Sequence, residues 1–142
     1  MDIYREQIID LYENPLNFGV LEPHDFSYEE DNPLCGDVVR IDVRLNEAGR
    51  VAEIRWSGEG CAISQASASL LTEEVKGMTL AEVRAFPKER LLEMLGVPLS
   101  MARVKCALLS LKVLKAGAYG LPDPDVMRHP DQAVDIHEDK NE

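Results

Sequence analysis

From Val38 to Leu45 the sequence alternates without a break. Val39, Ile41, Val43 and Leu45 fall on one face, Arg40, Asp42 and Arg44 on the other. A period of two describes a half-buried antiparallel strand, so a sheet must be part of the fold. Asn46 to Arg50 supplies a turn containing Gly49. Ala52, Ile54 and Trp56 then mark the inward face of a returning strand, and the pair is expected to form a hairpin. Gly58-Glu59-Gly60 ends the second strand and lets the chain bend sharply.

What flanks the hairpin is helical. Ile3 to Glu13 places Ile8, Leu11 and Tyr12 on one side of a short helix that Asn14-Pro15 ends. Leu16 to Pro33, with Gly19, Pro23 and the acidic run Glu29-Glu30-Asp31, reads as a long irregular loop. After Cys61 the pattern is helix throughout. Ile63 to Lys76 stops at Gly77, and Thr79 to Glu82 has capping-box spacing. Pro87 starts a helix that turns Leu91, Leu92 and Leu95 inward and ends at Gly96. Ser100 caps a last helix running to about Ala116, with Val104, Ala107, Leu108, Leu111 and Leu114 as its apolar stripe. The expected fold is therefore α+β, an N-terminal helix, a small antiparallel sheet and a helical C-terminal half, over residues 1–120. Residues 121–142 hold seven acids against two bases, with three prolines and no apolar periodicity, and are expected to form a disordered acidic tail.

At 142 residues with 45% apolar side chains, the chain is long enough for one domain with its own core. A net charge of −11 and the lack of any Lys/Arg-rich cluster repel phosphate backbones, so a nucleic-acid partner is not expected. No apolar run is long enough to span a bilayer, and Met1 to Glu6 lacks the basic-then-apolar order of a signal peptide. A soluble, cytoplasmic protein without a membrane partner is expected.

Three cysteines cannot close a disulfide framework within one chain, and in a reducing compartment they serve as small core residues, metal ligands or nucleophiles. Cys35, bracketed by Pro33 and Gly36, falls on a turn with Asp37 two residues on, so sulfur and carboxylate oxygen can meet one metal. Cys61 immediately precedes a helix, whose dipole and free N–H groups stabilise a thiolate. A small residue packed under a bend is an equal alternative there. Cys106 lies about 200° around the helical wheel from Val104, away from the centre of the apolar stripe, and Arg103 and Lys105 bring positive charge near it. The gaps between the cysteines are wide, and no zinc-knuckle spacing exists. Convergence on one site would have to come from tertiary structure.

The motifs resemble those of the IscU/SufU family of iron–sulfur cluster scaffolds, which also occur as the N-terminal domain of NifU. Asn14-Pro15-Leu16-Asn17-Phe18-Gly19 is similar to the family's early motif. Asn32 to Asp37, Gly58 to Ser69 and Arg103 to Ala107 resemble its three cysteine motifs, in order. The resemblance implies that Cys35, Asp37, Cys61 and Cys106 form one site. Three thiolates and a carboxylate suit a zinc ion in the resting site, or iron and a transient [2Fe–2S] cluster. It further implies that a pyridoxal-phosphate cysteine desulfurase delivers sulfur to Cys35 or Cys106, with Arg103 favouring the thiolate. The cluster then passes to recipient apo-proteins. The alternative is a zinc-dependent sulfurtransferase that relays persulfide to a separate SufBCD-type scaffold.

Lys105 stands where IscU-type members carry His, and Val97-Pro98-Leu99-Ser100-Met101 stands where they carry a Leu-Pro-Pro-Val-Lys segment. The resemblance therefore does not extend to a dedicated Hsp70-type chaperone. Ala62-Ile63-Ser64 and Arg103-Val104-Lys105-Cys106 look like SufU, without that subfamily's insertion, so the chain reads as a short SufU-like form. Ser64, Ser67 and Ser69 have no histidine partner or nucleophile elbow and read as small packing residues. His24, His129 and His137 read as surface groups, and Trp56 as core.

Overall fold

The computed structural model describes residues 3–33 and 36–120. Cys35 and the acidic tail lie outside the described residues. The described elements are α1 (Ile3–Glu13), β1 (Phe26–Asn32), β2 (Asp37–Leu45), β3 (Val51–Glu59), α2 (Ala62–Glu74), α3 (Leu80–Arg84), α4 (Lys88–Leu95) and α5 (Met101–Gly120). The strands form one antiparallel sheet in the order β1-β2-β3. The helices pack on one of its faces, and α5 and α2 touch it directly.

The alternation in β2 is realised as read. Val39, Ile41 and Val43 are buried and pack with Phe26, Ile54 and Trp56 against Leu71, Leu111 and Leu114 of the helices. Asp37 shares their parity, so the start of β2 turns a carboxylate toward the helical layer. A second core, made by Ile8, Leu11, Ala66, Leu95 and Ala107, ties α1 and α4 to the α2–α5 pair.

Four expectations from the sequence need correction. The segment expected to be a loop up to Pro33 contains β1, paired with β2 from Phe26↔Val43 to Asn32↔Asp37. Its run of acids conceals a strand because β-propensity disfavours Glu and Asp, and cross-strand pairing overrides that preference. In β3 the buried position is Val51, while Ala52 is exposed. Arg44 pairs with Glu53 and Leu45 with Val51, so Ala52 is the extra residue of a bulge and the inward face shifts by one. Asp42, read as an outward residue, is buried under residues 21–27. It accepts from Leu21 N–H (3.1 Å), Ser27 Oγ and Arg40 Nε (2.9 Å). Finally, α5 runs on to Gly120 and is buried on nearly all sides from Cys106 onward.

The helix boundaries follow local chemistry. Thr79 and Glu82 make the reciprocal capping box at α3. Gly96 caps α4 at φ 69°, the left-handed conformation that a side chain would strain. Arg103 N–H donates to Ser100 Oγ at the start of α5.

Asn14-Pro15-Leu16-Asn17-Phe18-Gly19 straps the β3 edge to α2. Asn17 C=O accepts from Trp56 N–H, and Gly19 N–H donates to Trp56 C=O. Trp56 Nε1–H donates to Leu16 C=O at 2.8 Å, and Phe18 packs edge-on against the indole. From the α2 side, Ser69 Oγ accepts from Leu16 N–H and Thr72 Oγ1 from Asn17 Nδ2. Asn17 adopts φ 57°, a conformation that Asn tolerates better than most residues. No helix among the described residues is long and apolar enough to cross a membrane.

Candidate metal centre

The site lies where the sheet hands over to α2. β3 ends at Glu59 and α2 begins at Ala62, so Gly60 and Cys61 make the turn between layers. Cys61 is the N-cap of α2, in extended conformation (φ −70°, ψ 167°), and its side chain caps nothing. Its backbone N–H, one of the orphan donors of a helix start, donates to Asp37 Oδ1 at 2.9 Å. That bond pins the carboxylate of β2 to the start of α2 and orients Oδ2 toward Cys61 Sγ, 3.8 Å away.

Gly60 permits this arrangement. A Cβ built there would lie 2.7 Å from Asp37 Oδ1 and 3.0 Å from its Cγ. Gln65 Nε2 holds the Gly60 carbonyl at 2.9 Å, which tethers the turn to the second turn of α2. Gly58, at φ 136°, crosses so close to the Val38 backbone that only glycine fits.

Cys106 completes the cluster from α5. One ligand atom each from Asp37, Cys61 and Cys106 lies within 4.8 Å of the others. Asp37 is 1% and Cys106 2% exposed, whereas Cys61 is half-buried, so the cluster opens to solvent beside Cys61. The burial of Cys106 corrects its placement away from the apolar stripe. Because α5 lies between the sheet and the other helices, the side opposite the expected stripe is also covered.

The donor set fits a soft or borderline metal ion. Tetrahedral zinc with bonds of about 2.0–2.3 Å holds its ligands roughly 3.3–3.8 Å apart, and the 3.8 Å between Cys61 Sγ and Asp37 Oδ2 falls at that spacing. Two sulfurs and one oxygen leave one tetrahedral position open. Cys35 falls between Pro33 and Gly36, two residues from Asp37, outside the described residues. Gly36 N–H donates to Asn32 C=O at 2.8 Å, which ties the end of β1 to the residue before Asp37.

Other expected residues lie apart. Arg103 is exposed, one turn before Cys106, and lines an open depression with Ile8, Ile63 and Leu99. His24 contacts Leu21 C=O (2.9 Å) and Glu22 on the far face of the sheet, while His129 and His137 lie outside the described residues. Of the serines, Ser67 Oγ donates to Ala107 C=O and meets Ser110 Oγ, and Ser69 holds the strap, so both act as packing residues with polar duties. The contact of Gly60 with Asp37 has one cue in the sequence, the position of the glycine directly before an N-cap cysteine.

Comparison with known proteins gives this geometry its context. Residues 3–123 match the family described as NifU-like N terminal domain. The chain belongs to that family. Among its curated relatives, the iron–sulfur cluster assembly scaffold protein IscU of Azotobacter vinelandii is 34% identical over 116 residues, covering 80% of this chain and 89% of the relative. The zinc-dependent sulfurtransferase SufU of Bacillus subtilis is 34% identical over 132 residues, covering 81% and 88%. The longer alignment for the same share of this chain means that SufU carries residues absent here, in keeping with a short SufU-like form. A solved structure from Fervidobacterium islandicum, described as an iron–sulfur cluster assembly scaffold protein for the SUF system, superposes with a TM-score of 0.68 at 26% identity. It covers 80% of this chain and 94% of that one. The NifU-like fold thus accounts for the α+β architecture, and the possible metal site of Asp37, Cys61 and Cys106 sits at its sheet-to-helix junction.

Proposed function

We propose that this NifU-like chain is an iron–sulfur cluster assembly scaffold of the cytoplasm, with residues 1–120 as the assembly domain and 121–142 as an acidic appendage. The observation that carries the proposal is the convergence of Asp37, Cys61 and Cys106 within 4.8 Å, from three elements far apart in sequence. Cys35 supplies the fourth ligand. Soft thiolates suit iron and sulfide, whereas a carboxylate oxygen is a poorer partner, so one weak ligand makes the cargo releasable. When bound in the resting site, zinc supplies a Lewis acid that keeps thiolates deprotonated.

Sulfur arrives from a cysteine desulfurase. A scaffold thiolate attacks the outer sulfur of the desulfurase persulfide, the S–S bond breaks, and the desulfurase cysteine leaves as thiolate. Of the two acceptors that the family resemblance implies, Cys35 and Cys106, the burial of Cys106 favours Cys35. Arg103 adds positive charge one turn from Cys106. The completed cluster moves to recipient apo-proteins.

The relation to SufU supports a second reading, in which the same site holds zinc and relays persulfide to a separate scaffold without building a cluster. Anaerobic reconstitution with ferrous iron, cysteine and a desulfurase separates the two. A visible charge-transfer spectrum with iron and sulfide in cluster ratio, lost in Cys61→Ser and Cys106→Ser, is the scaffold outcome. A colourless protein that keeps one zinc and carries persulfide is the relay outcome.

A further inference from the structure

Among the described residues, the buried hydroxyl of Ser64 has no hydrogen-bond partner. The residue is 1% exposed, and its Oγ meets no donor or acceptor there. A buried hydroxyl without a partner is costly, and native proteins keep few of them. Ser67 and Ser69, on the same helix, both have partners. Ser64 is the exception, and it stands on the first turn of α2, three residues after Cys61.

Its position follows from the helix. Cys61 is the N-cap of α2, and Ser64 is three residues on, the place whose side chain meets the N-cap in a capping box. One turn further, Ser67 reaches Ala107 and Ser110 of α5. Cys61 meets Cys106 at one end and Ser67 meets Ala107 and Ser110 at the other, so α2 and α5 run in the same direction here. Ser64, three residues from each, lies between Cys61 and Ser67 on the α2 face that carries both contacts. It has an unused O–H donor, and the two ligand residues on these helices, Cys61 and Cys106, offer sulfur acceptors.

We propose that Ser64 is a positioning residue whose hydroxyl donates a hydrogen bond to a ligand sulfur of the metal-loaded site, a proposal that rests on Asp37, Cys61 and Cys106 binding metal. Metal-bound thiolate is a strong acceptor, whereas an unligated cysteine sulfur is a weak one. No cysteine sulfur among the described residues lies in hydrogen-bond geometry with the hydroxyl in the metal-free chain, so the bond forms only as metal binding draws a ligand sulfur toward Ser64. A donor of this kind orients the ligand and draws charge from the sulfur, as outer hydrogen bonds do in other metal sites.

The test compares the full-length chain with Ser64→Ala, both stripped of metal. Zn2+ affinity is measured by chelator competition, the sulfur-to-metal charge-transfer band with Co2+, and stability by melting of the metal-free proteins. Ser64→Ala is expected to bind Zn2+ about tenfold more weakly or worse. It should also shift the Co2+ band and melt at the same temperature as wild type or higher, because alanine removes an unsatisfied group. Unchanged Zn2+ affinity and an unchanged band overturn the proposal. So does a lower melting point of the metal-free variant, which would mean the hydroxyl is bonded within the protein. Wild type that binds neither ion overturns instead the scaffold proposal beneath it.

Discussion

Replacing Gly60 with alanine tests how Asp37 is held. The Gly60 backbone lies outside the left-handed region, so alanine is conformationally allowed. By itself the change would stabilise the chain by about 0.4–1 kcal/mol through lost unfolded-state entropy. The added Cβ, however, meets Asp37 Oδ1 at 2.7 Å, and ordinary contact begins at 3.4 Å. The carboxylate must retreat by about 0.7 Å, at an overpacking cost of about 1–3 kcal/mol. It also strains the Cys61 N–H bond to Asp37 Oδ1. The net expectation is a loss of about 1–2 kcal/mol in the metal-free chain. In an Asp37→Ala background the oxygen is gone. The residual 3.2 Å contact with the Asp37 Cβ is offset by the entropy gain, so the penalty falls to near zero. Urea unfolding of the four metal-free chains therefore yields a coupling of about 1–2 kcal/mol. Equal effects of Gly60→Ala in both backgrounds would refute the steric cradle.

Further outcomes follow from the same structure. Asp37→Ala removes the weak ligand and should hold a reconstituted cluster longer, seen as slower transfer to an apo-ferredoxin; faster loss would contradict the releasable-ligand idea. Burial pushes the Asp42 carboxyl up, but hydrogen bonds from Ser27, the Leu21 N–H and Arg40 outweigh it and hold the group below the usual carboxylate range. Its stabilisation is thus present above the unfolded value of about 3.9 and lost as pH falls through the lower folded value. Asp42→Asn should flatten that acid limb in melting temperature against pH, and an unchanged acid limb would count against the depressed carboxyl. Asn17→Ala loses the bonds to Thr72 and Glu73 and sits worse at φ 57°, for a cost of about 1–2 kcal/mol by chemical denaturation. Asn17→Gly, which relieves the backbone, should cost less, and the reverse order would argue against the strap.

The elements that declared themselves were those whose local chemistry and packing agree. The β2 alternation, the Thr79–Glu82 box and the Gly96 stop are each set by a few neighbouring residues. Parity alone places Asp37 on the face of Val39 and Ile41. Where an element depends on its partner, the sequence misleads. The acidic β1 is a strand because β2 pairs with it, and the bulge at Ala52 reflects register with Leu45. Asp42 is buried because residues 21–27 fold over it, which alternation cannot reveal.

The candidate site divides in the same way. The residue types, the glycines around Cys61 and the order of the motifs were all written in the chain, and they were enough to suggest a shared metal site. Convergence was not, because the gaps from 35 to 61 and 61 to 106 carry no spatial information. It took the β3–α2 turn, the Cys61 N–H to Asp37 bond and the central burial of α5 to bring two sulfurs and a carboxylate within 4.8 Å. The lone hydroxyl of Ser64 is the extreme case. Its sequence context reads as packing, and only the absence of a partner among the described residues marks it, since satisfaction of a buried polar group is a property of all its neighbours at once.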